Sequence, residues 1–526
     1  MHSSSIGIIE GPPLTHEVPS TTVPGFIREL ARRHPNDVAL IDGADGRSYT
    51  YGDLDRLIGR FAAGLVASGF KPGDTLLMFA PNSIEWPVAA LGAMVAGGIV
   101  SGANPAYRAD ELAHQMLDAD ARFAFTIPAL VETVREAAAQ ADRCGTMIVL
   151  DENGGPSSYA ALIACEDAEP VVASDPDALA ALPFSSGTSG VAKGVLLTHR
   201  TLLSNLCQYL EVSPPVEGSV GIALLPMYHI YGFTVITLAG LAAGGKIVTV
   251  PRFEAEMFLK AIETHRVTHL AMVPPLMNFL AMHPLVDAYD LSSLQWIGCG
   301  AAPLGAALEQ RVAERVKCDV VQGFGMTESS GVVALTYRDR PRQGSSGQLL
   351  PGTQARVVDP ESGADLPRGT AGELWFRGPQ AFKGYRNRTE ATAATIGQDG
   401  WVHTGDLGYF DEDGYLFITD RLKELIKVNA FQVAPAELEA LLLTHPAVAD
   451  VAVIGRPHER SGEIPIAYVV GRSAIDPEAI KAWVAERVAE YKELGDVVSI
   501  DVIPKSPSGK ILRRIVRTID AERAPA

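Results

Sequence analysis

Beyond its first fifty residues this chain keeps switching between two periodicities. Residues 54–68 carry apolar side chains at helical spacing, and Thr75-Leu-Leu-Met-Phe79 is a short run that is mostly apolar. Residues 83–96 read as helix again, and Gly98-Ile-Val100 as a second short run. The alternation returns through 177–250 and 258–273. Short apolar runs between helices are what strands look like when both faces of a sheet are covered. The pattern predicts α/β architecture with parallel sheets. At 526 residues there is more chain than one core organises, so two or more domains are expected.

From about Gly344 the texture changes. Residues 356–359, 372–377 and 415–418 are short strands between Gly, Pro and Asp turns, which predicts a small β-rich subdomain. A charged stretch over 420–427 leads into a compact α+β tail. That tail reads as helix 435–444, strand 448–454, strand 466–470, helix 477–490 and a basic terminal loop. These shifts place a domain boundary at Asp420–Arg421, between a large unit over 1–420 and a small one over 421–526.

Composition narrows the partners. A net charge of −18 argues against broad binding to nucleic acid or anionic membranes. Five cysteines, an odd number with no Cys-x-x-Cys, fit free thiols in a reducing cytoplasm better than zinc or disulfides. The N-terminus carries no basic segment followed by a long apolar core, so no signal peptide is expected. Residues 219–245 lack Lys, Arg, Asp and Glu, but Pro226, His229 and several glycines interrupt them. A buried strand–loop–helix is expected there rather than a membrane span.

Residues 185–195, Ser-Ser-Gly-Thr-Ser-Gly-Val-Ala-Lys-Gly-Val, say most about function. Gly187, Gly190 and Gly194 let the backbone turn its N–H groups onto one point, forming a nest for an anion. Ser185, Ser186, Thr188 and Ser189 add hydroxyl donors and Lys193 adds a charge. The ligand expected is a polyphosphate. The spacing is not that of a Walker A loop, because Lys193 follows Val-Ala and precedes Gly194. Gln322-Gly-Phe-Gly-Met-Thr-Glu328 is a second site: Gly323 and Gly325 flank Phe324 and allow close approach to a planar ligand. Thr327 then offers a hydroxyl and Glu328 a hard carboxylate suited to Mg²⁺ beside substrate phosphates. Asp406, after the Gly turn in Trp401-Val-His-Thr-Gly-Asp406, presents a carboxylate that suits a ribose diol. Gly298-Cys-Gly-Ala-Ala302 ends a strand in small residues that leave room for a flat base.

These motifs, along nearly the whole chain, resemble the adenylate-forming superfamily of acyl-CoA synthetases, peptide-synthetase adenylation domains and luciferase. The resemblance is closest to the 4-coumarate–CoA ligase branch. It implies that the 185–195 loop binds ATP phosphates, and that Gly300, Ala301 and Ala302 lie against adenine. Gln322, Gly323, Phe324, Gly325 and Met326 would line the adenine and acyl pocket, with Thr327 on phosphate and Glu328 on Mg²⁺. Phe324 stands where the family usually has Tyr. Asp406 becomes a ribose ligand with Ile418 and Arg421 beside it. In Pro226-Met-Tyr-His-Ile-Tyr-Gly232, His229 would gate the acid and Tyr231 line its wall. Gly232, Gly298, Gly323, Gly331 and Val332 complete that wall. Gly232 and Gly331, the latter replacing a family Pro, are expected to free volume for an acid bulkier than coumarate. In Ser506-Pro-Ser-Gly-Lys510, Lys510 would be the adenylation lysine. Lys427 and Gln432 match the face used in thioester formation.

The resemblance implies a ligase with two steps. An acid, expected to be aromatic, and MgATP give acyl-AMP; a nucleophile then displaces AMP. CoA thiol is the family default. Val428-Asn429-Ala430 replaces the family's Tyr-Lys-Gly along the CoA tunnel, so transfer to an amine stays open as the alternative. A non-catalytic nucleotide-binding module is disfavoured by the retained Lys193, Glu328, Asp406 and Lys510. Oligomeric state is not legible.

Overall fold

A computed structural model describes residues 7–143, 145–151, 155, 157–170, 175–185, 192–214, 216, 218–429, 431–458, 460–506 and 509–523. Two largely parallel sheets form its main body. One has six strands in the order Leu197–Thr198, Leu179–Ala181, Ile99–Gly102, Thr75–Phe79, Ala121–Thr126, Thr146–Val149. Only Leu197–Thr198 runs antiparallel there. The second has nine strands, with Asp319–Phe324, Trp296–Cys299, His269–Met272, Val220–Ala223, Lys246–Thr249 and Val38–Asp42 as its parallel centre. The α/β expectation is met, and the alternation that announced it has a visible cause. Thr75–Phe79 is buried along its whole length. The helix Glu85–Val95 is buried on nearly every side, enclosed by the helices Val23–Arg33 and Tyr51–Ala67 and the strands Thr75–Phe79 and Ile99–Gly102.

Local chemistry starts these helices. Thr50 and Asp53 form a reciprocal capping box ahead of Tyr51–Ala67, and Thr198 caps His199–Val212 through Thr201. Between 220 and 245 the chain is strand, loop and helix as expected, but its helix opens as a π-helix over Tyr231–Leu238 before Ala239–Ala242. The β-rich part is a five-stranded antiparallel sheet in the order Ile9–Glu10, Gln354–Val358, Gly372–Arg377, Val402–Phe410, Leu416–Arg421. That sheet ends at Arg421. The next strand, Ile426–Val428, belongs to a separate sheet with Phe431–Val433, Gly462–Gly471, Val448–His458 and Asp496–Ser499. The tail's second helix is shorter than expected, Pro477–Ala485. No helix among the described residues is long and apolar enough to cross a membrane.

Candidate active site

Strands Phe184–Ser185 and Lys193–Gly194 pair antiparallel, with Ser185 opposite Lys193. The two ends of the Gly/Ser segment therefore lie side by side. Ser186, Gly187, Thr188, Ser189 and Gly190 fall outside the described residues. At the base of this hairpin the Ser185 hydroxyl donates to Glu328 Oε1 at 2.9 Å, and the Tyr385 hydroxyl donates to the same oxygen at 2.8 Å. Lys193 Nζ sits 4.9 Å from the centroid of the Tyr385 ring, a cation–π distance. Tyr385 is absent from the sequence reading. Backbone pairing delivers it: Lys383 N donates to Leu196 O, Arg386 N to Gly194 O, and Phe382 N to the carbonyl of Glu328. Burial and the neighbouring Glu328 push its hydroxyl pKa up, so it stays a donor. Its only sequence signal is a Lys-Gly-Tyr turn, and Gly384 does adopt φ +135°.

A second cluster joins both units of the chain. Asp406 and Arg421 face each other across paired strands, and Arg421 Nε meets Asp406 Oδ1 at 2.9 Å. Asp406 is buried. Burial raises its pKa, Arg421 and Lys510 pull it back, and Glu328 pushes it up again. Those influences put Glu328, Arg421 and Lys510 within electrostatic reach of one carboxylate. Lys510 arrives on a loop closed by its own hydrogen bonds: Lys510 N donates to Ser506 Oγ, Ser506 N to Lys510 O, and Gly509 N to Ser506 O. Gly509 has φ +77°, and a Cβ there would meet Val273 at 3.0 Å and Pro275 at 3.2 Å. The loop is thus pressed against the large unit. Burial first, and then Arg421, lower the Lys510 pKa to about 8. His229 is neutral: burial and the Lys510 charge hold it at about 4, and its Nδ1 accepts from Tyr231 N at 3.3 Å.

The loop after Trp296–Cys299 is held from below by Gln322. Its side-chain oxygen accepts from Leu304 N, and its amide donates to Leu304 O and Glu309. This amide is occupied by scaffold bonds. Ala301 takes φ +68° at the exposed tip, and half-buried Ala302 follows. A Cβ on Gly300 would lie 3.4 Å from the Tyr231 ring, so ring and loop are in contact. Gly298 sits buried against Trp296, and half-buried Gly323 lies against Leu335. Phe324 is buried, Met326 half-buried, and Thr327 opens a short turn with Glu328. Ile418 is half-buried in the strand opposite Gly408.

Two expectations about pocket volume are corrected. A Cβ on Gly232 would strike the Pro226 carbonyl at 2.1 Å, and one on Gly331 would meet Asn205 Oδ1 at 2.8 Å. The space that these glycines leave is taken by the protein itself. Gly331 has φ +140°, which proline cannot adopt. Asn205 clamps it on both sides, donating to Val332 O at 2.8 Å and accepting from Val332 N at 3.0 Å. Asn82 similarly braces the segment before His229, accepting from Met227 N and donating to Ala223 O and Leu225 O. Neither asparagine carries a sequence signal.

Lys427 and Gln432 are not in this cluster. They stand opposite each other on the hairpin Ile426–Val433, exposed together with Phe431, whose ring stacks on Tyr491 at 4.6 Å. Asn429 turns that hairpin at φ +48°; Ala430 lies outside the described residues.

Comparison with known proteins agrees with this geometry. The AMP-binding enzyme family matches residues 27–386, and the AMP-binding enzyme C-terminal domain matches 437–510. The 4-coumarate–CoA ligase of Pinus taeda is 41% identical over 489 residues, covering 91% of each chain. ATP-bound MatB from Rhodopseudomonas palustris superposes with a TM-score of 0.86 at 30% identity, over 94% of this chain and 98% of that one. The anthranilate CoA ligase AuaEII in complex with anthranoyl-AMP gives 0.88 at 25% identity, over 95% and 98%. With both family segments matched in order, and two carboxylates and two cations gathered where they meet, this chain belongs to the AMP-binding enzyme family, among its AMP-forming acid–thiol ligases.

Proposed function

We propose that the protein activates a carboxylic acid, flat or aromatic next to its carboxyl group, with MgATP, and passes the acyl group from the adenylate to the thiol of CoA. The observation that carries this reading is the placement of Lys510. It comes from the last segment of the chain, yet it lies in reach of Asp406, Arg421 and His229, and its neighbour Gly509 lies against Val273 and Pro275. Adenylation brings a carboxylate onto an already anionic α-phosphate. A buried cation between the two lowers that repulsion and stabilises the charge that develops. With a pKa of about 8, Lys510 still carries its proton at neutral pH. Lys193 and Ser185, with the loop they bracket, would take the phosphates; Asp406 would take the ribose; and Gly300–Ala302 with Phe324 would take the base. His229, being neutral, positions the acid without adding charge.

Glu328 fits a magnesium ion. Among the described residues its two hydrogen-bond donors, Ser185 and Tyr385, both take Oε1, and neither takes Oε2. Among the described residues no group of three His, Cys, Asp or Glu gathers. That suits Mg²⁺, which is held by one or two carboxylates plus phosphate oxygens and water. When bound there, the ion would neutralise phosphate charge.

The second step needs a different face of the small unit. Lys427, Phe431 and Gln432 stand on an exposed hairpin, so the unit over 421–526 turns at Asp420 to bring them in. CoA is the acceptor favoured. Asn429 sits at a left-handed φ, where asparagine is among the few residues at ease, so its presence answers to the turn. The free thiols of Cys165, Cys207, Cys299 and Cys318 suit a cytoplasmic enzyme. The test is ATP–pyrophosphate exchange over a panel of acids, followed by mass spectrometry of products with CoA and simple amines in competition. Acid-dependent exchange with thioester as the main product is expected. Absence of exchange would overturn the adenylation, and amides in place of thioesters would overturn the acceptor.

A further inference from the structure

The loop that brings Lys510 into the site has little of its own to hold it in shape. Leu512 N donates to Pro504 O, Lys505 bridges Ile511, and Ser506 N donates to Lys510 O, which makes a short two-armed turn. An isolated hairpin of this kind is marginal in water. Apolar packing secures only its flanks. Ile503 and Val516 are buried, and none of the described residues between them is fully so. The tip touches the large unit, through Gly509 on Val273 and Pro275.

Two ion pairs stand under this loop, one at each arm. On the incoming arm Lys505 Nζ donates to both carboxylate oxygens of Asp450, at 2.8 and 2.7 Å. On the outgoing arm Arg513 Nη2 donates to both oxygens of Glu439, at 2.7 Å each. The second pair is the deeper, with each side chain 11% exposed. It is also tied to the backbone on both sides of one residue. Glu439 accepts from Val453 N at 2.8 Å, and Arg513 Nε donates to Val453 O at 3.1 Å. Asp450 and Val453 belong to the strand Val448–His458, so both arms stand on one rigid element. Hydrogen bonds between charged partners are the stronger kind, and a planar guanidinium held at two nitrogens has a fixed direction.

We propose that Arg513 and Lys505 are positioning residues for Lys510: anchored on Glu439 and Asp450, they fix the base of the loop and so aim its amine at the reacting carboxylate and α-phosphate. This rests on the adenylation proposed above and adds what holds its lysine in place. Neither pair includes Lys427 or Gln432, the residues of the face assigned to transfer. The two half-reactions therefore answer differently to the loss of a pair.

Arg513→Gln should lower pyrophosphate exchange about 10²-fold, the cost of misplacing a reacting group by an ångström. Thioester formation from supplied acyl-AMP should stay that of the unaltered protein. Lys505→Gln cuts the more exposed pair, should lower exchange less, again with transfer intact, and serves if the Arg513 variant melts early. The pH profile separates aiming from mere support. Asp406, Glu424, Arg421 and Arg513 are the charges around Lys510, with neutral His229 beside them. Burial lowers the Lys510 pKa most, then Arg421; Asp406 and Glu424 oppose them, and Arg513 adds to the lowering. Arg513→Gln removes that last charge, so the fall of exchange with rising pH should begin at higher pH. A pair that only supports the tail would lower both half-reactions together and leave that limb where it was. That result overturns the inference, as does full exchange in both variants. No exchange in the unaltered protein overturns the adenylation itself, and undiminished exchange in Lys510→Ala overturns the assignment of that lysine.

Discussion

Lys510 is where the two half-reactions should part company. It is placed to act only when carboxylate meets α-phosphate, so Lys510→Ala should lower pyrophosphate exchange by about 10²–10³-fold. Thioester formation from supplied acyl-AMP should stay that of the unaltered protein; equal loss in both assays would refute the assignment. The sign of the pH effect follows from the depressed pKa. The working form is protonated, so kcat/KM for adenylation should fall as pH rises through about 8. Bound anions favour the proton, so the matching limb in kcat should come at higher pH. His229, held at about 4, should add no limb near neutrality. Tyr385 makes the other residue-scale prediction. Tyr385→Phe removes a donor from buried Glu328 and should slow adenylation about tenfold, the worth of one hydrogen bond to a charged group. A Mg²⁺ titration should show a shifted half-saturation; an unchanged curve would deny Tyr385 a part in setting Glu328.

Among the elements, the segment 330–333 places two positive-φ residues in succession. Ser330 at φ +58° and Gly331 at φ +140° are consecutive left-handed residues, both tied down. The Ser330 hydroxyl donates to Gln380 O, and Asn205 holds Val332. Gly331→Ala should cost about 1–3 kcal/mol through its backbone and its contact with Asn205. Asn205→Ala removes that contact, so the double variant should be more stable than the sum of the two single losses. Strict additivity in urea melts would show that Asn205 does not crowd position 331. Element type was largely legible because helix and strand periods differ and capping residues such as Thr50 and Thr198 stand at the starts. Element ends were less so. The helix Pro477–Ala485 stops with no glycine or proline to mark it, and no residue pattern announces a π-helix at Tyr231.

Across the whole molecule, the join between units is built from buried charge. Asp420 accepts from Ala436 N at 2.9 Å, capping the helix Pro435–Leu442 from fifteen residues before its first turn. Arg513 makes two 2.7 Å bonds to buried Glu439, and Glu439 also accepts from Val453 N. The last helix, the first helix of the tail and the end of the large unit's sheet thus share one cluster. Asp420→Ala should cost about 0.5–2 kcal/mol, the usual loss for a cap. Hydrogen exchange should quicken across 435–458 and stay as it was in the parallel sheets. Uniform quickening would mean that the two units do not open separately.

The sequence by itself determined the α/β class, the change of texture after Gly344, the Gly/Ser-rich segment 185–195 and the short motifs that carry Glu328, Asp406 and Lys510. Each of these is written in neighbours along the chain, as a period, a glycine spacing or a short motif. Only the tertiary structure decided which of them meet. Ser185, Glu328 and Tyr385 are far apart in sequence and share one carboxylate oxygen because a hairpin and a returning strand bring them there. Gly232 and Gly331 read as spare room and proved to be filled, since what a missing side chain leaves depends on the chain packed opposite it. The space lined by Val235 and Ala239 of the helix that Tyr231 begins and by Ala271 of the strand His269–Met272 belongs to no single residue. It is the gap between a widened helix and a sheet, and a gap of that kind exists only once both are folded.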